Sequence, residues 1–329
     1  MKCINKRFVR VCSLLLVCSL CTISGTGCGE NRLEDAFEAD LPGIGIQTSE
    51  ESSKIPYFAS DLCVTDTDVQ DIEADTEDAL AACFFNLSEK KVLYAKNIHE
   101  RMYPASTTKI MTALVALDKG DLDAQTTVSK EAITVSESGV STAKLKEGDV
   151  LTLRQLLYAL LTMSANDAAN VIAEQIAGSQ DAFVEMMNQE AQKIGATNTH
   201  FVNANGLHSE DHYTTVYDLY LMFNAAMQHE EFLQMLQEKE YQASYQAADG
   251  TTVEAVWSTT NQFTKGDVTV PDGVTAVGGK TGTTTAAMSC LVQLFEDAQG
   301  EQYVAIILGC KERGILYQEM QTFLSNLNN

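Results

Sequence analysis

The chain has 329 residues, with 45 acidic side chains against 22 basic ones and a net charge of −23. That excess of negative charge argues against nucleic acid as a partner. With 45% hydrophobic residues, the roughly 250 residues beyond an acidic N-terminal stretch are enough for one large or two-lobed core.

In chain order, Lys2, Lys6, Arg7 and Arg10 precede a short apolar core over 14–23, and the small-residue run 24–27 ends at Cys28. Length and flanks are those of a secretory signal over 1–28, which places the protein outside the cytoplasm. Gly27-Cys28 has the form of a lipoprotein cleavage site, although Gly25 stands where an aliphatic residue is usual. Lipid anchoring at Cys28, ordinary cleavage and an uncleaved anchor all stay open, so the expected location is the outer face of the membrane or the medium. Residues 29–78 hold fifteen Asp and Glu against Arg32 and Lys54 and read as a solvated, flexible tether.

From residue 79 the apolar patterns begin. The pattern S-x-x-K occurs three times, at Ser88, Ser106 and Ser141. Ser88 lies in the polar turn Asn86-Leu87-Ser88-Glu89-Lys90 between two strand-like runs, and Ser141 reads as surface chemistry. Ser106 differs in context: Pro104-Ala105 precede it, and Ile110, Met111, Leu114, Val115 and Leu117 follow at helical spacing. That places Ser106 at a helix start, where N–H groups and the dipole favour a developing anion. Lys109 lies one turn further on the same face. To act as a base, Lys109 needs a pKa well below ~10.4, which burial and a second cation would supply.

Next, Thr152 caps a helix whose stripe is Leu153, Leu156, Leu157, Leu160 and Leu161. A second helical pattern runs through Ala169, Val171, Ile172, Ile176 and Ala177 and stops at Gly178. Ser164-Ala165-Asn166 thus falls on a short connection between two buried helices. His208 and His212 sit in a polar loop without helical pattern, so a metal pair is not expected there. Ala276 to Gly279 read as a strand entering a glycine-rich segment, Lys280-Thr281-Gly282-Thr283, which lets a substrate backbone approach closely. Lys280 is the candidate second cation and, with Thr281 and Thr283, the candidate holder of a carboxylate. Cys83, Cys290 and Cys310 read as buried small hydrophobes, and Cys63 falls in the tether.

Ser106-Thr107-Thr108-Lys109, Ser164-Ala165-Asn166 and Lys280-Thr281-Gly282, in that order, are the motif set of penicillin-binding proteins and β-lactamases. The segments 103–114, 156–161 with 164–170, 195–201, 205–207 and 212–215 resemble the low-molecular-mass penicillin-binding proteins, the serine-type D-alanyl-D-alanine carboxypeptidases of peptidase family S11. The likeness spans roughly 79–315. It implies an α/β (α+β) transpeptidase fold, an antiparallel sheet backed by helices plus a mostly helical lobe with the site between them. It implies a catalytic domain at 79–315; many members carry a further β-rich domain, whereas the residues after Cys310 leave room for a C-terminal helix at 316–329 and no added β-rich domain. It also implies an acyl-enzyme mechanism on peptidoglycan stem peptides, with β-lactams as inhibitors and neither cofactor nor metal. In that mechanism Ser106 is the nucleophile, Lys109 the base and Ser164 the proton relay. Asn166 orients the substrate amide, while Lys280, Thr281, Gly282 and Thr283 bind substrate. The oxyanion would sit between the N–H groups of Ser106 and Thr283. The chain departs from the family at Ala165, Val277 and Thr283, where Gly or Asp, an acidic residue and a bulky residue are commoner. Two other readings remain: a β-lactamase of the same fold, which needs a deacylating glutamate, and a non-catalytic penicillin-binding sensor.

Overall fold

The structure, a computed structural model, describes residues 59–327 apart from Ser136 and Ser138. The signal, the Cys28 site and residues 29–58 of the tether lie outside the described residues. The runs on either side of Ser88 form an antiparallel hairpin, β2 (Ala81–Asn86) and β3 (Lys91–Lys96). β10 (Gln302–Cys310) pairs with the other side of β2, followed by β9 (Met288–Glu296) and β8 (Thr275–Thr284). β1 (Val69–Gln70) lies beyond β3, giving the order β1-β3-β2-β10-β9-β8 with every pairing antiparallel.

This sheet is buried on both faces, and the two-residue period of its strands sorts the core into two. Ala81, Cys83 and Phe85 of β2 face one cluster with Val304, Ile306 and Leu308 of β10, their register partners. Ala82 and Phe84 face the other with Ala305 and Ile307. Strands covered on both sides need apolar residues at every position, so these runs do not alternate in the sequence. The outer cluster packs on α8 (Arg313–Leu324), where Phe84 stacks on Phe323 at 5.2 Å and 8°. The C-terminal helix expected at 316–329 is therefore a layer of the domain, beginning three residues earlier.

The inner cluster joins the sheet to a helical lobe built around α1 (Lys109–Lys119), which is buried from Lys109 to Ala116. α2 (Leu153–Leu161) starts with a reciprocal capping box between Thr152 and Gln155, and α3 (Asn166–Ala177) ends on Gly178 at φ +79°. α4 (Gln180–Lys193) and α5 (Val216–Ala226) complete the packing around α1, and Phe85 meets Tyr220 of α5 edge-on at 4.8 Å. A second sheet, β4 (Gln125–Thr127), β5 (Val150–Thr152), β6 (Glu240–Gln246) and β7 (Thr252–Ser258), pairs in that order. α6 (Glu230–Gln237) lies against β8, and a short α7 (Gln262–Lys265) follows β7.

The tether expected over 29–78 is cut back: residues 59–78 are folded onto the domain. Cys63 is buried, its N–H donates to Tyr220 Oη at 2.9 Å, and its carbonyl accepts from Tyr217 Oη at 3.1 Å. Val69 and Gln70 pair with Ala95 and Tyr94, and Thr76 is buried against Tyr94. The acidic side chains among these residues hid a segment whose few inward positions carry the packing.

Phe323 stacks on Phe84 and packs against Tyr94 from α8. Phe323→Ala should lower the unfolding free energy by about 3–5 kcal/mol, the usual cost of emptying a buried aromatic site. Urea unfolding measures it, and a loss below about 1 kcal/mol would show that α8 does not hold the outer core.

Candidate active site

Ser106 occupies a 3-10 turn, Ala105–Thr108, that runs directly into α1 at Lys109. In a 3-10 turn residues i and i+3 eclipse, so Lys109 stands over Ser106 rather than beside it. Its Nζ lies 3.1 Å from Ser106 Oγ. The same nitrogen meets Asn166 Oδ1 at 2.7 Å and the backbone carbonyl of Asn205. Both are pure acceptors, so they take the two hydrogens of a neutral amine and leave its lone pair for the serine proton.

Lys109 is fully buried, and its pKa falls well below the ordinary lysine value. Desolvation is the main cause and the charge of Lys280 the second, while Asp167 opposes both. Lys280 is also buried, which brings its own pKa down to about 7. Its Nζ meets Ser164 Oγ at 2.9 Å and the Thr281 carbonyl at 2.8 Å. Ser164 sits between α2 and α3, as the sequence pattern indicates, with φ at +64°, an uncommon conformation for a residue with a Cβ. The hydroxyls of Ser106 and Ser164 thus each have a lysine amine beside them.

Lys280-Thr281-Gly282 lies within β8, an edge strand that continues the strand-like run from Ala276. Gly282 is required because β8 runs against the nucleophile turn: a Cβ there would lie 2.9 Å from the Pro104 carbonyl oxygen and 3.0 Å from Ser106 N. Gly206 is tighter still, since its Cβ would fall 2.0 Å from the Ala105 carbonyl oxygen, and its φ is +84°. The backbone around Ser106 is therefore gripped from two sides by main chain alone. Thr281 Oγ1 pairs with Thr260 Oγ1 at 2.5 Å, and Thr283 lies at the open end of β8.

The cleft formed by these elements has a volume of about 340 Å³. The described structure brings together all eight residues singled out in the sequence, although Lys109 and Lys280 lie behind its walls. Sequence reasoning missed several others. Arg313, the first residue of α8, reaches the cleft, with Nη2 3.4 Å from Thr283 Oγ1. Its position after the last strand gives no signal of that proximity. Ser141, read as surface chemistry, lines the cleft: its Oγ donates to the Met163 carbonyl at 2.5 Å and its carbonyl accepts from Asn166 N at 2.9 Å. The buried Asp167 carboxylate fastens the following loop through the N–H groups of Ala143 and Leu145, at 2.8 and 3.1 Å.

His208 and His212 have unrelated roles. His208 stands edge-on to Tyr103, whereas His212 is buried. His212 Nδ1 accepts from Val202 N at 3.2 Å, which leaves Nε2–H to donate to Thr108 Oγ1 at 2.8 Å. Desolvation, aided by nearby cationic groups, lowers its pKa to about 3 and keeps it a neutral post under the nucleophile turn.

A family model described as D-alanyl-D-alanine carboxypeptidase, peptidase S11, matches residues 68–312. The chain is 38% identical over 156 residues to the D-alanyl-D-alanine carboxypeptidase DacF of Bacillus subtilis, covering 46% of this chain and 40% of that one. It is 31% identical over 267 residues to DacC of Escherichia coli, covering 78% of this chain and 62% of that one. With DacB2 of Mycobacterium tuberculosis it shares 34% identity over 242 residues, 73% of this chain and 78% of the relative. Among solved structures, the Streptomyces K15 DD-transpeptidase superposes with a TM-score of 0.71 at 29% identity, covering 77% of this chain and 98% of that one. The chain thus spans about half the length of several curated relatives, and nearly all of the K15 enzyme.

The lowered pKa of Lys109 sets a pH dependence. Below its folded pKa the amine is protonated and cannot take the serine proton, so acylation by a β-lactam probe should rise with pH along a limb well below the ordinary lysine value of 10.5. Stopped-time labelling between pH 5 and 10 measures this, and a limb centred near the ordinary lysine value would rule out Lys109 as a shifted base.

Proposed function

The chain belongs to the peptidase S11 family of D-alanyl-D-alanine carboxypeptidases, and on that footing we propose that it removes the terminal D-alanine from peptidoglycan stem peptides through a Ser106 acyl-enzyme. The observation that carries the reading is the buried Lys109 amine, whose only remaining acceptor position is aimed at Ser106 Oγ. Lys109 takes the hydroxyl proton as Ser106 attacks the carbonyl between the two D-alanines. The oxyanion forms between the N–H groups of Ser106, a first-turn donor without an intrahelical acceptor, and Thr283 on the edge strand β8. Ser164, hydrogen-bonded to Lys280, passes a proton to the leaving D-alanine. Water then enters the space that D-alanine leaves and releases the shortened peptide.

Two assignments are adjusted by the geometry. Lys280 is enclosed and bonded to Ser164 and Thr281, so it acts on a substrate carboxylate from behind β8. The groups that can touch that carboxylate are the hydroxyls of Thr281 and Thr283 and the exposed guanidinium of Arg313. Asn166 spends its carbonyl oxygen on Lys109, which leaves its amide N–H groups for the substrate. The proposed place of action is the outer face of the cytoplasmic membrane, in keeping with the signal-like pattern at 1–28.

β-Lactams should act as inhibitors more than as substrates. Glu190 is turned into an ion pair with Lys193, and the exposed Glu185 on α4 is remote from the cleft lining. Neither can activate water for deacylation.

Incubation with a stem pentapeptide should release D-alanine, and Ser106→Ala should abolish both that release and labelling by a fluorescent penicillin. Undiminished label in the variant would reject the nucleophile. In the wild type the penicilloyl adduct should persist for many peptide turnovers. Rapid loss of label with no peptide hydrolysis would replace this reading with that of a β-lactamase.

A further inference from the structure

The cleft lining holds one charge that the proposed reaction does not use. Among its described residues only two are charged, Arg313 and Glu137. Arg313 belongs to the sheet wall, beside Thr283. Glu137 belongs to the facing wall, on the stretch that runs through Gly139 and Val140 into Ser141. Ser141 is fixed to the helical lobe by its bonds to Met163 and Asn166. Among the described residues neither Glu137 nor Arg313 has an ion-pair partner, and both are exposed to the cleft. A ligand lying between the walls therefore meets one cation and one anion, contributed from opposite sides.

We infer that Glu137 selects peptides whose residue upstream of the D-alanyl-D-alanine pair carries a free side-chain ammonium. This rests on the proposed carboxypeptidase reading for its substrate. With the terminal carboxylate on Thr281, Thr283 and Arg313, the chain runs back along β8, and an amino side chain reaching across the cleft meets the opposite wall. A diamino acid supplies such a group only while its amine is unlinked. Acylating the amine, as a cross-link does, removes the charge and leaves Glu137 without a counterion. The preferred donor is then a monomeric stem and not a cross-linked one.

The pair is open to solvent, so its contribution is modest, about three- to fivefold in kcat/KM. The test uses two synthetic peptides ending in Lys-D-Ala-D-Ala, one with a free lysine ε-amine and one acetylated there. The wild type, Glu137→Gln and Glu137→Lys are assayed on both. A parallel arm measures Ser106 acylation by two penicillins that differ only in an ammonium group on the side chain. The wild type should favour the cationic member of each pair, Glu137→Gln should lose the preference, and Glu137→Lys should reverse it. Equal ratios in wild type and Glu137→Gln overturn the inference. So does a slowing of penicilloyl release in Glu137→Gln, which would make the residue a water-activating base. If neither peptide is hydrolysed but the penicillin preference follows Glu137, the ammonium site stands and the carboxypeptidase reading falls.

Discussion

The chemistry and much of the packing depend on one unfavourable placement, an amine at residue 109 taken wholly out of water. An isolated ammonium in such a place would cost several kcal/mol, and the protein avoids that cost by leaving the proton off. Helix α1, the lobe around it and β8 in front of it together keep solvent from the nitrogen. The second buried amine, Lys280, raises the cost of a charge at Lys109 further, and the Asp167 carboxylate offsets part of that effect. Lys109 with Ser106 and Lys280 with Ser164 thus form two separate amine–hydroxyl pairs, each with its nitrogen out of water.

The surroundings bear local backbone strain in return. Ser164 at φ +64° and Ala105 at φ +48° both hold left-handed conformations that cost about 1 kcal/mol or more for residues with a side chain. Ala105 precedes Ser106, and Ser164 itself carries the second hydroxyl of the cleft. Gly206 and Gly282 bring main chain within contact distance of the nucleophile turn. His212 supports the same turn from beneath.

Much of this is legible in the sequence. The 3.6-residue stripes located α1, α2 and α3, and Thr152 and Gly178 marked their ends because capping is local chemistry. The order of the three motifs named the residues that converge, since each motif is short and its spacing is fixed by one element. Contacts between elements were not legible. Arg313 enters the site only because α8 starts just past β10 and its side chain reaches Thr283 of β8, two strands away, and Ser141 only because its loop folds back over Asn166. The motif order marks Lys280 as a second cation near Lys109 and a holder of a carboxylate; its enclosure by Ser164 and the Thr281 carbonyl depends on how the lobe closes on the sheet. The packing of residues 59–78 was obscured by composition, because acidic side chains on a segment say nothing about the few positions between them that point inward.

That last segment changes where the domain begins. The family resemblance starts at residue 68, but Cys63 lies upstream of it, wedged against Tyr220 and bonded by Tyr217. A chain trimmed to the family boundary would leave both phenols of α5 without these partners and open one end of the inner core beside Phe85. A proteolytic cut therefore spares this packing only on the N-terminal side of the plug. A cut a few residues later would release a protein with a wound in its core.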